Sequence, residues 1–105
     1  MDCKEIFANF QDSFKPEAAA GVDAVYQFSI SGEGGGEWNV SIAGGNCTVS
    51  EGTVDSPNCT VVTDANTWID IVGKRIGSTE AFMSGKLKIK GDMGLAMKLE
   101  PIFLR

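Results

Sequence analysis

Residues 85–99, Gly85-Lys86-Leu87-Lys88-Ile89-Lys90-Gly91-Asp92-Met93-Gly94-Leu95-Ala96-Met97-Lys98-Leu99, restrict the possible folds more than any other stretch. Lys86, Lys88 and Lys90 alternate with Leu87 and Ile89 at period two, the pattern of a strand with one wet and one dry face. Gly91 permits a sharp turn and Asp92 can cap a helix. Met93 to Leu99 are then apolar around most of a helix circumference until Pro101 stops the helix. A lysine-faced strand therefore feeds a short helix carrying more apolar surface than one packing stripe consumes.

Upstream, Asp2 and Glu5 have capping-box spacing, and Ile6, Phe7, Phe10 and Phe14 follow on one face, predicting a helix over about residues 3–14. Pro16 to Gly21 suggest a second, very short helix. Tyr26, Phe28 and Ile30, then Trp38, Val40 and Ile42, alternate with polar residues on either side of a glycine-rich turn at 32–36, which predicts a hairpin. A phosphate loop would instead join a strand to a helix. Further strands are expected at Cys47 to Ser50 and Cys59 to Thr63, and four successive strands suggest an antiparallel meander. Thr63 or Asp64 caps a helix with Ala65, Trp68, Ile69, Val72 and Ile76 at helical spacing, Ile71 on its flank and Gly73 at its end. Ser78 caps another short helix presenting Phe82 and Met83. The inventory is an α+β domain: a five-stranded, mainly antiparallel sheet covered on one face by four to five helices.

At 105 residues the chain has the size of one domain, and no run approaches the roughly 18 apolar residues of a membrane span. The first residues place acidic groups where a secretory signal needs a basic patch, so a cytoplasmic protein is expected. A formal net charge of −5 speaks against nucleic acid. The row Lys86, Lys88, Lys90 is the local exception: a solvated strand face is its ordinary meaning, an anion or headgroup site the sharper one. Cys3, Cys47 and Cys59 lack metal-binding spacing; Cys47 and Cys59 open two strands and could lie opposite each other, but packed thiols are preferred over a disulfide. Histidine is absent, which removes the commonest general base and zinc ligand. No nucleophile with a base and no carboxylate pair stands out, so no catalytic residue, cofactor or metal is expected.

The surplus apolar surface of Met93, Leu95, Ala96, Met97 and Leu99, backed by Phe82, Met83, Ile102 and Phe103, either completes an ordinary core or lines a cavity for a ligand. Unbranched, polarizable Met83, Met93 and Met97 suit a wall that accepts chains of different shape. Pattern alone leaves both open. Residues 81–99, from Ala81-Phe82-Met83-Ser84-Gly85 through Leu99, resemble the C-terminal signature of the sterol carrier protein 2 family, the nonspecific lipid-transfer proteins, and the resemblance extends over nearly the whole chain.

That resemblance implies a hydrophobic tunnel between sheet and helices, and non-catalytic binding or transfer of a fatty acid, fatty acyl-CoA, phospholipid or sterol. Its expected wall is Phe82, Leu87, Ile89, Met93, Leu95, Met97 and Leu99, with Trp68, Ile71 and Ile76 as further candidates. The expected state is a monomer in transient contact with membranes, and the segment after Pro101 is the expected gate. Two departures stand out. Phe103-Leu104-Arg105 does not match the peroxisomal tripeptide of many eukaryotic relatives, and Ser84 stands where relatives often carry glutamine. The rival readings are an interaction module that docks its apolar last helix on a partner, and an accessory module that presents lipid to a lipid-metabolising enzyme.

Overall fold

Alternating apolar residues give this chain one sheet with a single greasy face, and the helices collect on it. The computed structural model describes residues 3–99, 102 and 103, with only the backbone at Gln11. The proposed capping residue Asp2 and the helix stop Pro101 lie outside these residues. Among them the order is α1 (Cys3–Ala8), α2 (Phe10–Ser13), β1 (Ala24–Ser31), β2 (Gly36–Ala43), β3 (Asn46–Glu51), β4 (Cys59–Asp64), α3 (Ala65–Val72), α4 (Ser78–Met83), β5 (Leu87–Gly91) and α5 (Met93–Leu99).

The strands form one sheet in the order β3-β2-β1-β4-β5. β1 pairs antiparallel with β2, β2 with β3 and β4 with β5, whereas β1 and β4 run parallel, Tyr26 beside Cys59 and Phe28 beside Val61. The expected meander therefore holds for three strands only, and β4 crosses to the far side of β1. Alternation assigns a strand its face and leaves its neighbour undetermined. The signal was the connection: residues 52–58 number seven, too many for a tight hairpin. Spanning three strand spacings takes roughly 14 Å, and seven extended residues reach about 23 Å.

Gln27 fastens that crossover to the face of the sheet opposite the helices. Its Nε2 donates to the carbonyl oxygens of Trp38 (3.1 Å) and Gly52 (3.2 Å), and its Oε1 accepts from the Val54 N–H (2.9 Å). A buried amide with both ends satisfied is a fixed strut, which an unsatisfied one could not be. Asn58 closes the crossover: its N–H donates to the Val25 carbonyl (2.8 Å), its Oδ1 accepts from the Val25 N–H (2.9 Å), and its carbonyl accepts from the Asp92 N–H (3.0 Å). Cys47 and Cys59 end up on strands with β2 and β1 between them, so they do not pair with each other.

Helical details also differ from the sequence expectation. The first helix breaks at Asn9 into α1 and α2, and Pro16–Gly21 form hydrogen-bonded turns, not a helix. α3 ends at Val72, which leaves Ile76 beyond it. Gly73 does stand at the helix end, as expected, in the C-cap position (φ −76°), and the left-handed residue after it is Lys74 (φ 62°). Ser78 is the first residue of α4, and Gly77 holds the cap position.

Pairing register lays inward residues of neighbouring strands into rows. One runs Trp38, Phe28, Val61, Ile89; the next runs Val49, Val40, Tyr26, Cys59, Gly91. Phe7 of α1 sits on the first row, 4.6 Å from Trp38 and 5.0 Å from Phe28 between ring centres, and Trp68 of α3 lies 5.3 Å from Phe28. Phe103 stacks on Phe10 at 4.5 Å. These rings form the centre of a continuous buried core.

Candidate functional site

The stretch that opened the sequence reading folds as its pattern requires. Leu87 and Ile89 point to the covered face, where they pair beside Thr63 and Val61 of β4, while Lys88 and Lys90 point away and are exposed. Gly91 must be glycine: its φ is 92°, and a Cβ there would stand 2.5 Å from the Asn58 carbonyl oxygen. Asp92 caps α5 by accepting from the Leu95 N–H at 3.1 Å. α5 then lies back over β4 and β5. Its position is pinned by the Tyr26 hydroxyl, which donates to the Leu95 carbonyl at 2.8 Å.

Three helices thus border the inner face of β4 and β5. α3 starts directly from β4, with Asp64 accepting from the Thr67 N–H (2.7 Å) and hydroxyl (2.9 Å). α4 leads into β5, where the Lys86 N–H donates to the Ala81 carbonyl at 2.9 Å. The Ser84 hydroxyl, at the C-cap of α4, donates back into that helix, to the carbonyls of Glu80 and Ala81.

The sequence-predicted wall residues fall into three groups around this face. Trp68, Ile71, Leu87 and Leu99 are buried. Ile89, Leu95 and Ile76 are half-buried against the core. Phe82, Met93 and Met97 are exposed, at 41%, 44% and 77%, as is Met83 at 81%. The apolar surplus of α5 is therefore divided: Leu99 seals the core while Met93 and Met97, one turn apart, face outward. Of the segment expected as the gate after Pro101, the structure describes Ile102 and Phe103. Ile102 and Phe103 are buried, and the Ile102 carbonyl accepts from the Lys15 N–H at 3.1 Å.

Two concavities are lined by residues outside the predicted wall. A groove of about 170 Å³ between α1 and the β2–β3 edge is lined by Phe7, Ala8, Trp38 and Val49 with Lys4, Ser50 and Glu51. A polar one of about 360 Å³ lies where the β1–β2 turn meets the start of α3. The 170 Å³ groove was missed from sequence because its apolar residues come from three separate elements with no shared spacing.

Electrostatically the covered face favours neutral groups. Burial, then the neighbouring Cys59 and Asp92, push the Tyr26 phenol well above its ordinary value. The Cys59 thiol is pushed up to about 11, by burial first and Asp92 second, and the Cys47 thiol to about 11 by burial. Both thiols are protonated at neutral pH, so neither is an activated nucleophile. Among the described residues no group of three His, Cys, Asp or Glu could hold a metal, and no helix is long and apolar enough to cross a membrane. What the face can do is hold an uncharged chain.

Known proteins agree with this geometry. Hydroxysteroid dehydrogenase-like protein 2 of Xenopus laevis is 39% identical over 100 residues, which is 94% of this chain and 24% of that protein. The chain thus spans about a quarter of the length of the curated relatives it matches. The solution structure of palmitated SCP2L2 from Aedes aegypti aligns with a TM-score of 0.77 at 27% identity, over 96% of this chain and 93% of that one. The sec-alkylsulfatase Pisa1 from Pseudomonas sp. aligns over all of this chain and 17% of its own at a TM-score of 0.86; at 15% identity it shares the fold alone. The SCP-2 sterol transfer family matches residues 3–104, and the chain belongs to that family.

Proposed function

We propose that residues 1–105 act as one lipid-binding unit that carries a single-chain or sterol-like lipid between the inner face of β4–β5 and helices α3, α4 and α5, without catalysing a reaction. The observation that carries this reading is the incomplete cover of an apolar face. Ile89 and Leu95 are only half-buried, and Phe82, Met83, Met93 and Met97 extend the apolar surface outward beside them in sequence. A ligand chain would bury what the helices leave open. The palmitated relative from Aedes aegypti supports a fatty acyl chain as the guest.

The proposed wall is the set Phe82, Leu87, Ile89, Met93, Leu95, Met97 and Leu99, with Trp68, Ile71 and Ile76 on the α3 side. Burying about 10 methylenes at ~0.8 kcal/mol each yields on the order of 8 kcal/mol, from which ordering of the ligand subtracts several. Micromolar, chain-tolerant binding follows. Entry then needs one border of the site to move. α5 fits that role better than the segment carrying Ile102 and Phe103, because two of its large side chains are already in solvent. The same edge would touch donor and acceptor membranes: residues 74–98 hold Lys74, Arg75, Lys86, Lys88, Lys90 and Lys98 against Glu80 and Asp92, in a chain of formal net charge −5.

A lipid-presenting role beside an oxidoreductase is favoured by the relatives, which are named dehydrogenase-like and of which this chain matches only about a quarter. In that setting the unit works as a monomeric, cytoplasmic carrier for a neighbouring catalytic unit. Displacement of a fluorescent fatty acid by palmitate, palmitoyl-CoA and cholesterol, together with native mass spectrometry of the purified protein, tests the carrier reading. A co-purifying lipid mass and micromolar displacement are expected. A bare dimer that takes up none of the three would favour the interaction module.

A further inference from the structure

The covered face holds few polar side chains, and with one exception each is spent on a partner. The Tyr26 hydroxyl donates to the Leu95 carbonyl, the Thr63 hydroxyl to the Lys86 carbonyl at 2.8 Å, and the Thr67 hydroxyl to Asp64. The exception is the indole Nε1 of Trp68, which among the described residues is the buried side-chain nitrogen or oxygen without a hydrogen-bond partner. Trp68 is 3% exposed. Its ring lies among Phe28 (5.3 Å), Phe7 (5.8 Å) and Phe10 (6.1 Å), none of which offers a lone pair. A buried indole N–H ordinarily finds an acceptor, since leaving it dry forfeits the bond to water it had in the unfolded chain.

We infer that the Trp68 N–H is the polar anchor of the lipid site and donates to an oxygen of the bound lipid. The inference rests on the lipid-binding reading above and gives it a chemical preference. The preferred guest carries a carboxyl, ester or hydroxyl oxygen at one end of its chain, a carboxyl entering in its protonated form because no cation stands beside the indole among the described residues, and that end lies toward α3. The row geometry allows this: Trp68 stands over Phe28, and Phe28 continues through Val61 to Ile89 on the half-covered side. Phe28 and Val61 are buried, so a chain entering past Ile89 must displace the helices that cover this row to bring its oxygen-bearing end to the indole, where apolar surroundings strengthen the bond. The anchor also excludes a bare hydrocarbon from equal binding, because an alkane fills the same space and leaves the donor unsatisfied.

The test compares palmitate with dodecane on the whole chain. The Trp68 indole N–H resonance, assigned through its contacts with the Phe7 and Phe28 rings, is expected to move downfield with palmitate and to stay in place with dodecane. Trp68→Phe keeps a ring in the core and removes the donor; whatever contact both guests lose with the larger ring, it is expected to weaken palmitate about tenfold more than dodecane, within the range for one buried hydrogen bond. Should that variant fold poorly, the resonance of the unmodified protein still decides. Palmitate binding with an unmoved indole signal, as from an N–H aimed at the Phe28 ring, overturns the anchor and leaves the carrier standing. Absence of binding by either lipid overturns both.

Discussion

Over β1 and β2 the inner face carries rings, over β4 and β5 it carries aliphatic chains, and the two halves are closed to different degrees. On the first half Phe7 is 1% exposed and touches the rings of Phe10, Phe28, Trp38 and Trp68. On the second half Leu87 is buried, Ile89 and Leu95 are half-buried, and Met93 and Met97 stand in solvent. Rings interlock with fixed geometry, whereas methionine and leucine adapt to what lies against them. The difference teaches a division of labour. The aromatic half supplies the stability that lets the aliphatic half remain incompletely covered, and Trp68 stands at the boundary.

The largest effect expected from this comparison is on the aromatic side. Phe7→Ala removes the ring that four others share and should cost about 3–5 kcal/mol of unfolding free energy in a urea titration. A loss below about 1 kcal/mol would mean that the rings merely adjoin and do not hold the fold. The opposite signature belongs to Met97→Glu. Because Met97 is 77% exposed, the substitution should leave the urea midpoint within experimental scatter, yet weaken fatty-acid binding about tenfold by placing a charge at the site's border. Unchanged binding would remove Met97 from the wall and narrow the site to Leu87, Ile89, Leu95 and Leu99. The same exposure argues that the surface methionines are kept for contact with something other than this core.

Much of this division was legible in the sequence, for reasons that can be named. Period-two alternation placed Leu87 and Ile89 inward and the lysines outward, and Asp64 and Asp92 announced their caps, because faces and caps are set by residues close in the chain. The partner of β4 was not legible. Its place beside β1 depends on Gln27 gripping Gly52 and Val54, a contact between residues 25 or more apart that no local pattern reports. The split of the first helix at Asn9 was equally hidden, since Phe7 and Phe10 keep helical spacing across the break. At the proposed site, the apolar type of every expected wall residue was readable, but its degree of exposure was not. Met93 and Leu99 look alike in a string of letters, and only the tilt of α5, fixed by Tyr26, decides which one the core takes.

That tilt provides a finer test. Tyr26→Phe keeps the ring and removes the hydroxyl that donates to the Leu95 carbonyl, so about 1 kcal/mol should be lost. The loss should be local: amide exchange in α5 should accelerate while the central strands keep their protection, and lipid should dissociate faster. Equal acceleration in β1 and α5 would mean that the bond serves the whole core and that the aliphatic half has no separate border.

The smallest effect expected is alkaline. Cys59 lies on the row between Tyr26 and Gly91, where burial and Asp92 push its thiol from 9.0 up to about 11, and the Tyr26 phenol is displaced in the same direction. In both groups the folded protein holds its proton more tightly than the unfolded chain does. The Cys59 contribution is therefore fully present below pH 9 and is lost as the pH rises through about 11, while that of Tyr26 begins to fall only above pH 10, the unfolded chain giving up protons first in each case. Thermal unfolding followed between pH 8 and 11 should show a falling midpoint, and Cys59→Ala should flatten part of that fall without changing its sign. Because Cys59 lies under α5 and away from the ring cluster, the midpoint of exchange for α5 should drop before that of β2. A simultaneous drop would place the strain of ionisation in the shared core and erase the boundary between the two halves.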